Sequence, residues 1–129
     1  MKKLTVMVPC YNEEKGITKV ISKIPRAKLK ALGYEVEVLV IDNNSKDRTT
    51  EVAKKAGARV VFEGKQGKGH AIRKGVKSIT TDTDLVVMLD GDDTYDPREM
   101  LRLIEPLDSN FCDVVIGSRL GGKIKEGSM

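Results

Sequence analysis

Four runs rich in aliphatic and β-branched residues, Leu4–Val8, Val36–Ile41, Arg59–Phe62 and Leu85–Leu89, constrain the fold of this chain more than any other feature. Continuous rather than alternating apolar runs belong to strands covered on both faces. Asp113–Ile116 reads as a fifth strand. Between the runs lie helix-like stretches at Glu13–Leu32, Arg48–Ala56, Lys68–Ile79 and Arg98–Leu107, the first with Ile17, Val20, Ile21 and Ile24 at helical spacing. Pro25 is expected to end or kink that first stretch. Strands alternating with helices predict right-handed β-α-β crossovers and a mainly parallel sheet with helices on both faces.

At 129 residues the chain suffices for one compact domain, here 1–129, and is too short to expect two. A 40% hydrophobic and 33% charged composition is that of a soluble globular protein, and no stretch approaches bilayer-spanning length. Leu4–Val8 follows two lysines but ends at Pro9, short of a signal peptide's apolar region. The net charge of +4 is spread over helix-like stretches, and with three Tyr, two Phe and no Trp the chain lacks the basic, aromatic surface of a nucleic-acid binder. Cys10 and Cys112 sit in or beside apolar runs without metal-ligand spacing and read as small buried hydrophobes, consistent with a reducing cytoplasm. The end of the chain, with Gly121-Gly122 and a charged run after it, offers no obvious final element.

In open parallel sheets, ligands bind beyond the carboxyl ends of the strands. The segments found there are unusual. Asp90-Gly91-Asp92-Asp93 sets three carboxylates in four residues directly after an apolar run. Such a cluster suits a hard divalent ion, Mg²⁺ or Mn²⁺, that shares its coordination with substrate phosphates, although an isolated acidic run is more often a solvated turn. After the second run, Asp42 and Asn43 carry donors and acceptors able to read a base or ribose, while Ser45 or Asp47 suits the cap of the following helix. Gly67-Lys68-Gly69 opens a helix as an anion site would, without the spacing of a P-loop; such a turn is also commonly structural. His70 is the only histidine and has no partner at ligand spacing. Tyr11 can stack on a base or pack beneath the rim.

Taken in order, Val8-Pro9-Cys10-Tyr11-Asn12-Glu13-Glu14, Asp42 to Thr49, Gly67 to Gly75, Asp90-Gly91-Asp92 and Ile116-Gly117-Ser118-Arg119 resemble family 2 glycosyltransferases, most closely the dolichol-phosphate mannose synthase-like branch. The resemblance implies a GT-A fold, a Rossmann-like three-layer sandwich. It implies that Pro9, Tyr11 and Glu13 line a nucleoside pocket, with Ile41, Asp42 and Asn43 around base and ribose and Lys68 toward the diphosphate. Asp90, Gly91 and Asp92 match the family's DxD, whose acidic pair holds Mg²⁺ or Mn²⁺ against the donor diphosphate. Thr94 stands where the branch can carry a further metal ligand, a Gln. Arg119 matches an arginine facing substrate phosphates, and it and Asp92 are the catalytic candidates.

The function implied is metal-dependent, inverting transfer of a sugar from a GDP- or UDP-sugar to a polyprenyl or dolichyl phosphate, at the cytoplasmic face of a membrane. Members of the branch continue well past the Gly-Ser-Arg segment, so a nucleotide-sugar-binding half is expected here, with the acceptor side absent. A non-catalytic nucleotide-diphosphate binding module is the alternative. A phosphoacceptor receiver domain fits less well, because its acidic pair belongs after the first strand, where this chain has Pro9-Cys10-Tyr11-Asn12. An uncovered strand edge would invite pairing with a second copy.

Overall fold

The computed structural model describes residues 1–91, 96–104, 114–117 and 123–124. Its centre is a six-stranded sheet in the order β3-β2-β1-β4-β5-β6. The strands are β1 (Lys2–Cys10), β2 (Tyr34–Asp42), β3 (Arg59–Phe62), β4 (Leu85–Leu89), β5 (Val114–Gly117) and β6 (Lys123–Ile124). β1 to β5 pair in parallel, and β6 runs antiparallel to β5. This is the α/β architecture the alternating pattern predicts, of the Rossmann-like GT-A type. β6 is the one strand with no forecast, since two residues carry no periodicity to read.

The apolar runs mark strand cores and understate strand ends. β1 and β2 each extend to nine residues, because backbone pairing continues through polar positions such as Lys2, Lys3 and Asp42. Successive side chains alternate between two apolar layers. Leu4, Val6, Val8, Val38, Val40, Leu85 and Val87 face one side, where they meet α1 (Ile17–Lys23), α2 (Arg26–Ala31), α3 (Thr49–Lys55) and the start of α5 (Met100–Ile104). Met7, Leu39, Ile41, Val86 and Met88 face the other, beneath α4 (Lys68–Ser78). β1, β2 and β4 are therefore covered on both faces. β3 lies at the edge and is only half-buried, with Phe62 57% exposed.

The predicted first helix is two. Ile24, preceding proline, adopts an extended ψ of 123°, as the clash with the following ring requires, and the chain turns before α2 starts. α1 itself starts only at Ile17, since a turn built on Glu13 O, which accepts Gly16 N–H and Ile17 N–H, precedes it. The helix expected from Arg98 opens one residue earlier as a 3₁₀ turn, Pro97–Glu99, capped by Asp96, and passes into α5. Residues 105–107 of that expectation lie outside the described ones. Among the described residues no helix is long and apolar enough to cross a membrane.

α4 approaches the sheet closely because Gly75 has no side chain. A Cβ there would lie 2.4 Å from Met7 Sδ and 2.9 Å from Ile41 Cδ1. Alanine's better helix propensity partly offsets that contact, whereas a branched side chain cannot be placed without pushing the helix out. Gly75→Val is therefore expected to cost about 1–3 kcal/mol. Urea unfolding should show a lower midpoint with an unchanged slope.

Candidate functional site

The cleft begins where a hydrogen-bond ladder stops. Along β1, backbone groups point alternately toward β2 and β4. Cys10 O faces β2, where it accepts Asn43 N–H at 2.8 Å, so Pro9 turns its backbone toward β4. Proline has no N–H to give there. The β1–β4 pairing runs from Leu4 opposite Leu85 to Met7 opposite Met88 and goes no further. Beyond it a cleft of about 430 Å³ opens, bounded by Pro9, Tyr11, Glu13, Asn43, Lys68 and Asp90. This is where strand order reverses: β1 is followed outward by β2 on one side and by β4 on the other. Open parallel sheets bind ligands at such a point.

Gly91 forms the tight corner of the cleft. A Cβ on it would fall 2.6 Å from Cys10 Sγ and 3.4 Å from Pro9 O, so only glycine lets the end of β4 close against β1. Cys10 is buried beneath this corner as a free thiol. Burial pushes that thiol well above its usual range, and the carboxylates of Glu13, Asp42, Asp47 and Asp90 push it further. It is a packing group here, not a nucleophile.

The two loops bordering β1 and β2 are fastened by side chains bonding to backbone. Ser45 Oγ accepts Asn12 N–H at 2.9 Å, Thr49 Oγ1 accepts Glu13 N–H at 2.8 Å, and Asn12 Oδ1 accepts Lys46 N–H at 2.8 Å. Asn12 and Asn44 adopt positive φ of 53° and 64°, values asparagine tolerates better than most residues. Neither Ser45 nor Asp47 is the N-cap of α3 as expected: that place falls to Arg48, which makes no side-chain cap bond. One Asp47 oxygen accepts Thr49 N–H at 3.0 Å, while the other reaches across to Glu14 N–H and Ser45 serves the neighbouring loop. Partial burial acts to raise the Asp47 pKa, but the hydrogen bonds from the Thr49 hydroxyl, Thr49 N–H and Glu14 N–H outweigh it and hold the carboxyl below its ordinary value.

On the opposite wall, Lys68 Nζ lies 3.0 Å from Asp90 Oδ1. Lys68 is the first residue of α4, and its N-cap, Gly67, makes no side-chain bond to the amide groups of the first turn. The Asp90 carboxylate already faces one cation, and its hard oxygens suit Mg²⁺ or Mn²⁺. Among the described residues no three His, Cys, Asp or Glu side chains converge as a self-sufficient metal site. A divalent ion there would need further oxygens.

Of the residues singled out from sequence, Pro9, Tyr11, Glu13, Asn43, Lys68, Asp90 and Gly91 line one cleft. Ile41 and Asp42 do not. Ile41 is wholly buried under α4. Asp42, 5% exposed, accepts Ser45 N–H at 2.8 Å and the Thr50 hydroxyl, so its side chain organises the loop. Asp92, Thr94 and Arg119 lie outside the described residues, as does Cys112. His70 is not among the lining residues, whereas Gln66 and Ala71 are, and neither stood out in sequence. The fastening roles of Asn12, Thr49 and Thr50 were likewise missed; the Asp-x-Thr spacing at Asp47 and Thr49 was their only signal.

A parallel α/β sheet with its cleft at the strand-order reversal, walled by a glycine-opened helix and an acidic turn, defines a Rossmann-like ligand-binding domain. The sequence matches glycosyl transferase family 2 over residues 5–129, and the chain belongs to that family. It is 40% identical over 120 residues to Protein RfbJ of Shigella flexneri, spanning 90% of this chain and 84% of that protein. It is 34% identical over 130 residues to the dolichol-phosphate mannosyltransferase of Pyrococcus furiosus, spanning 95% of this chain but 35% of that one. Among solved structures it is similar to Mycobacterium tuberculosis glucosyl-3-phosphoglycerate synthase in complex with Mn²⁺, UDP and phosphoglyceric acid. There the TM-score is 0.67 and the identity 30%, covering 82% of this chain and 39% of that one. The chain thus spans less than half the length of the last two.

Proposed function

We propose that this chain binds a nucleotide sugar with Mg²⁺ or Mn²⁺ and that the protein transfers the sugar, with inversion, to a polyprenyl phosphate. The observation that carries the donor half is the Lys68–Asp90 pair across the cleft at the strand-order reversal. A lysine at a helix N-terminus supplies positive potential for a diphosphate, and the acidic turn opposite supplies oxygens for a divalent ion. The mycobacterial synthase crystallised with UDP and Mn²⁺ supports the pairing of nucleotide and metal. Asp90 and Asp92 would hold the ion, with Thr94 beside them; bound there, it would act as a Lewis acid toward the leaving nucleoside diphosphate. Pro9, Tyr11 and Glu13 would take the nucleoside end and Arg119 the phosphates. Because an acceptor phosphate is already anionic, positioning rather than a strong base would govern the transfer.

The resemblance to the dolichol-phosphate branch and relatives such as the Pyrococcus enzyme support the lipid phosphate as acceptor. Calorimetric titration with UDP and with GDP, each with Mn²⁺ and with chelator, tests the donor half. Metal-dependent binding of one of them is expected, and binding of neither sinks the proposal. For the acceptor, radiolabelled transfer by the protein to polyprenyl phosphate is compared with transfer to phosphoglycerate. Exclusive use of the soluble acceptor would overturn the lipid assignment.

Lys68 should oppose the metal while the nucleotide is absent. Its ammonium competes for the Asp90 oxygen, an exposed pairing of modest strength. Lys68→Met is expected to tighten nucleotide-free Mn²⁺ binding by about two- to fivefold, read by the electron paramagnetic signal of free Mn²⁺. The same substitution should weaken diphosphate binding, so the two affinities move in opposite directions.

A further inference from the structure

We propose that Asn43 is the positioning residue of the turn that presents Lys68, and that it acts on the diphosphate end of the cleft instead of reading the base. The inference rests on the nucleotide reading above and departs from the base-contacting role that sequence resemblance suggests for this residue.

Asn43 is 5% exposed and its amide is almost fully committed. Nδ2 donates to Glu63 O at 3.1 Å and to Lys65 O at 2.7 Å, and Oδ1 accepts Gly67 N–H at 2.9 Å. The amide orientation is fixed by this network, because both carbonyls require a donor and the N–H an acceptor. One lone pair on Oδ1 is all that remains for a ligand. Asn43 also donates its own N–H to Cys10 O, so it ties the end of β1 to the whole segment between β3 and α4. That segment has no regular structure of its own. Asn44 Nδ2 adds a bond to Gly64 O at 3.3 Å, and Gly67 adopts a φ of +138° as the chain turns into the helix. The next residue is Lys68, 3.0 Å from Asp90.

The chemistry demands an amide. An aspartate of the same shape would set a carboxylate against two carbonyl oxygens and lose both donated bonds, freeing the turn that aims the ammonium. A residue acting in this way controls affinity for phosphate groups and leaves base choice untouched. A base reader does the reverse.

The test uses the whole chain with Asn43→Asp, Asn43→Ala, Lys68→Ala and the Asn43→Ala/Lys68→Ala double variant. UDP and GDP with Mn²⁺ are titrated calorimetrically, uridine and guanosine are titrated by ligand-observed NMR, and hydrogen exchange is followed at Gly67 without ligand. Either Asn43 substitution is expected to weaken the preferred diphosphate by about tenfold, with the UDP-to-GDP ratio and nucleoside binding unchanged. In Asn43→Ala, which removes the acceptor of Gly67 N–H, exchange at Gly67 should accelerate with no ligand present. In the Lys68→Ala background the further loss should shrink to less than about threefold, since residues acting through one another do not add. A changed UDP-to-GDP ratio, an equal loss for the nucleoside, full additivity or unaltered Gly67 exchange would each overturn the proposal. Asn43→Ser, smaller and still polar, carries the same readouts where Asn43→Ala does not fold. If the wild-type chain binds neither diphosphate, the nucleotide reading fails, while Gly67 exchange still decides whether Asn43 holds the turn.

Discussion

Asp90→Asn is expected to lower affinity for the preferred nucleoside diphosphate in Mn²⁺ by at least about a hundredfold, the scale on which a metal clamp on phosphate oxygens acts. In chelator, wild type and variant should bind equally weakly. Asparagine keeps the shape of the side chain and removes its charge, so the fold should hardly notice. Among the described residues the contact at risk is the exposed pair with Lys68, worth less than about 1 kcal/mol. Calorimetry for affinity and a thermal melt for stability separate the two effects. Undiminished Mn²⁺-dependent binding by the variant would show that Asp90 does not hold the ion.

The second large effect is structural and falls on Asp42. Asp42→Ala removes the acceptor of both Ser45 N–H and the Thr50 hydroxyl at a position almost closed to solvent. Leaving such donors without a partner should cost about 2–3 kcal/mol in denaturant unfolding. Asp42→Asn should cost under about 1 kcal/mol, since its oxygen can still accept Ser45 N–H and the Thr50 hydroxyl can turn to accept from the amide. Nucleotide affinity should follow the same order if the residue works through the loop. A change of base preference in Asp42→Asn with no loss of stability would instead put the carboxylate in contact with the base.

The contrast between these two aspartates shows what the sequence could disclose. Both end an apolar strand and both border an acidic or amide-rich segment, so composition and spacing assign them alike. What separates them is the direction of one side chain: Asp90 looks across the cleft at Lys68, and Asp42 turns back into its own loop. For Asp90 that direction is set by a partner on another element, Lys68, which no local pattern encodes, and for Asp42 by Ser45 and Thr50 of its own loop and the helix after it. Strand and helix positions were legible for the opposite reason. Leu85–Leu89 is buried along its entire length, so hydrophobicity alone marks both of its ends. β1 and β2 run past their apolar cores because Lys2, Cys10 and Asp42 pair through backbone regardless of side chain. Pro25 was readable because its effect is steric and local. Pro9 fits that logic only in part, for its effect depends on which neighbour its missing N–H faces.

The fastening of the rim by side-chain-to-backbone bonds has a thermodynamic consequence. Ordering a loop residue costs on the order of 1–2 kcal/mol of conformational entropy, and in the loops after β1 and β2 these ties are made without any ligand. Association then loses mainly the freedom of the incoming molecule and of a few exposed side chains, such as Tyr11 and Lys68. Loosening any one tie would move part of the entropic cost from folding to binding. Affinity would fall even for groups that never touch the altered residue.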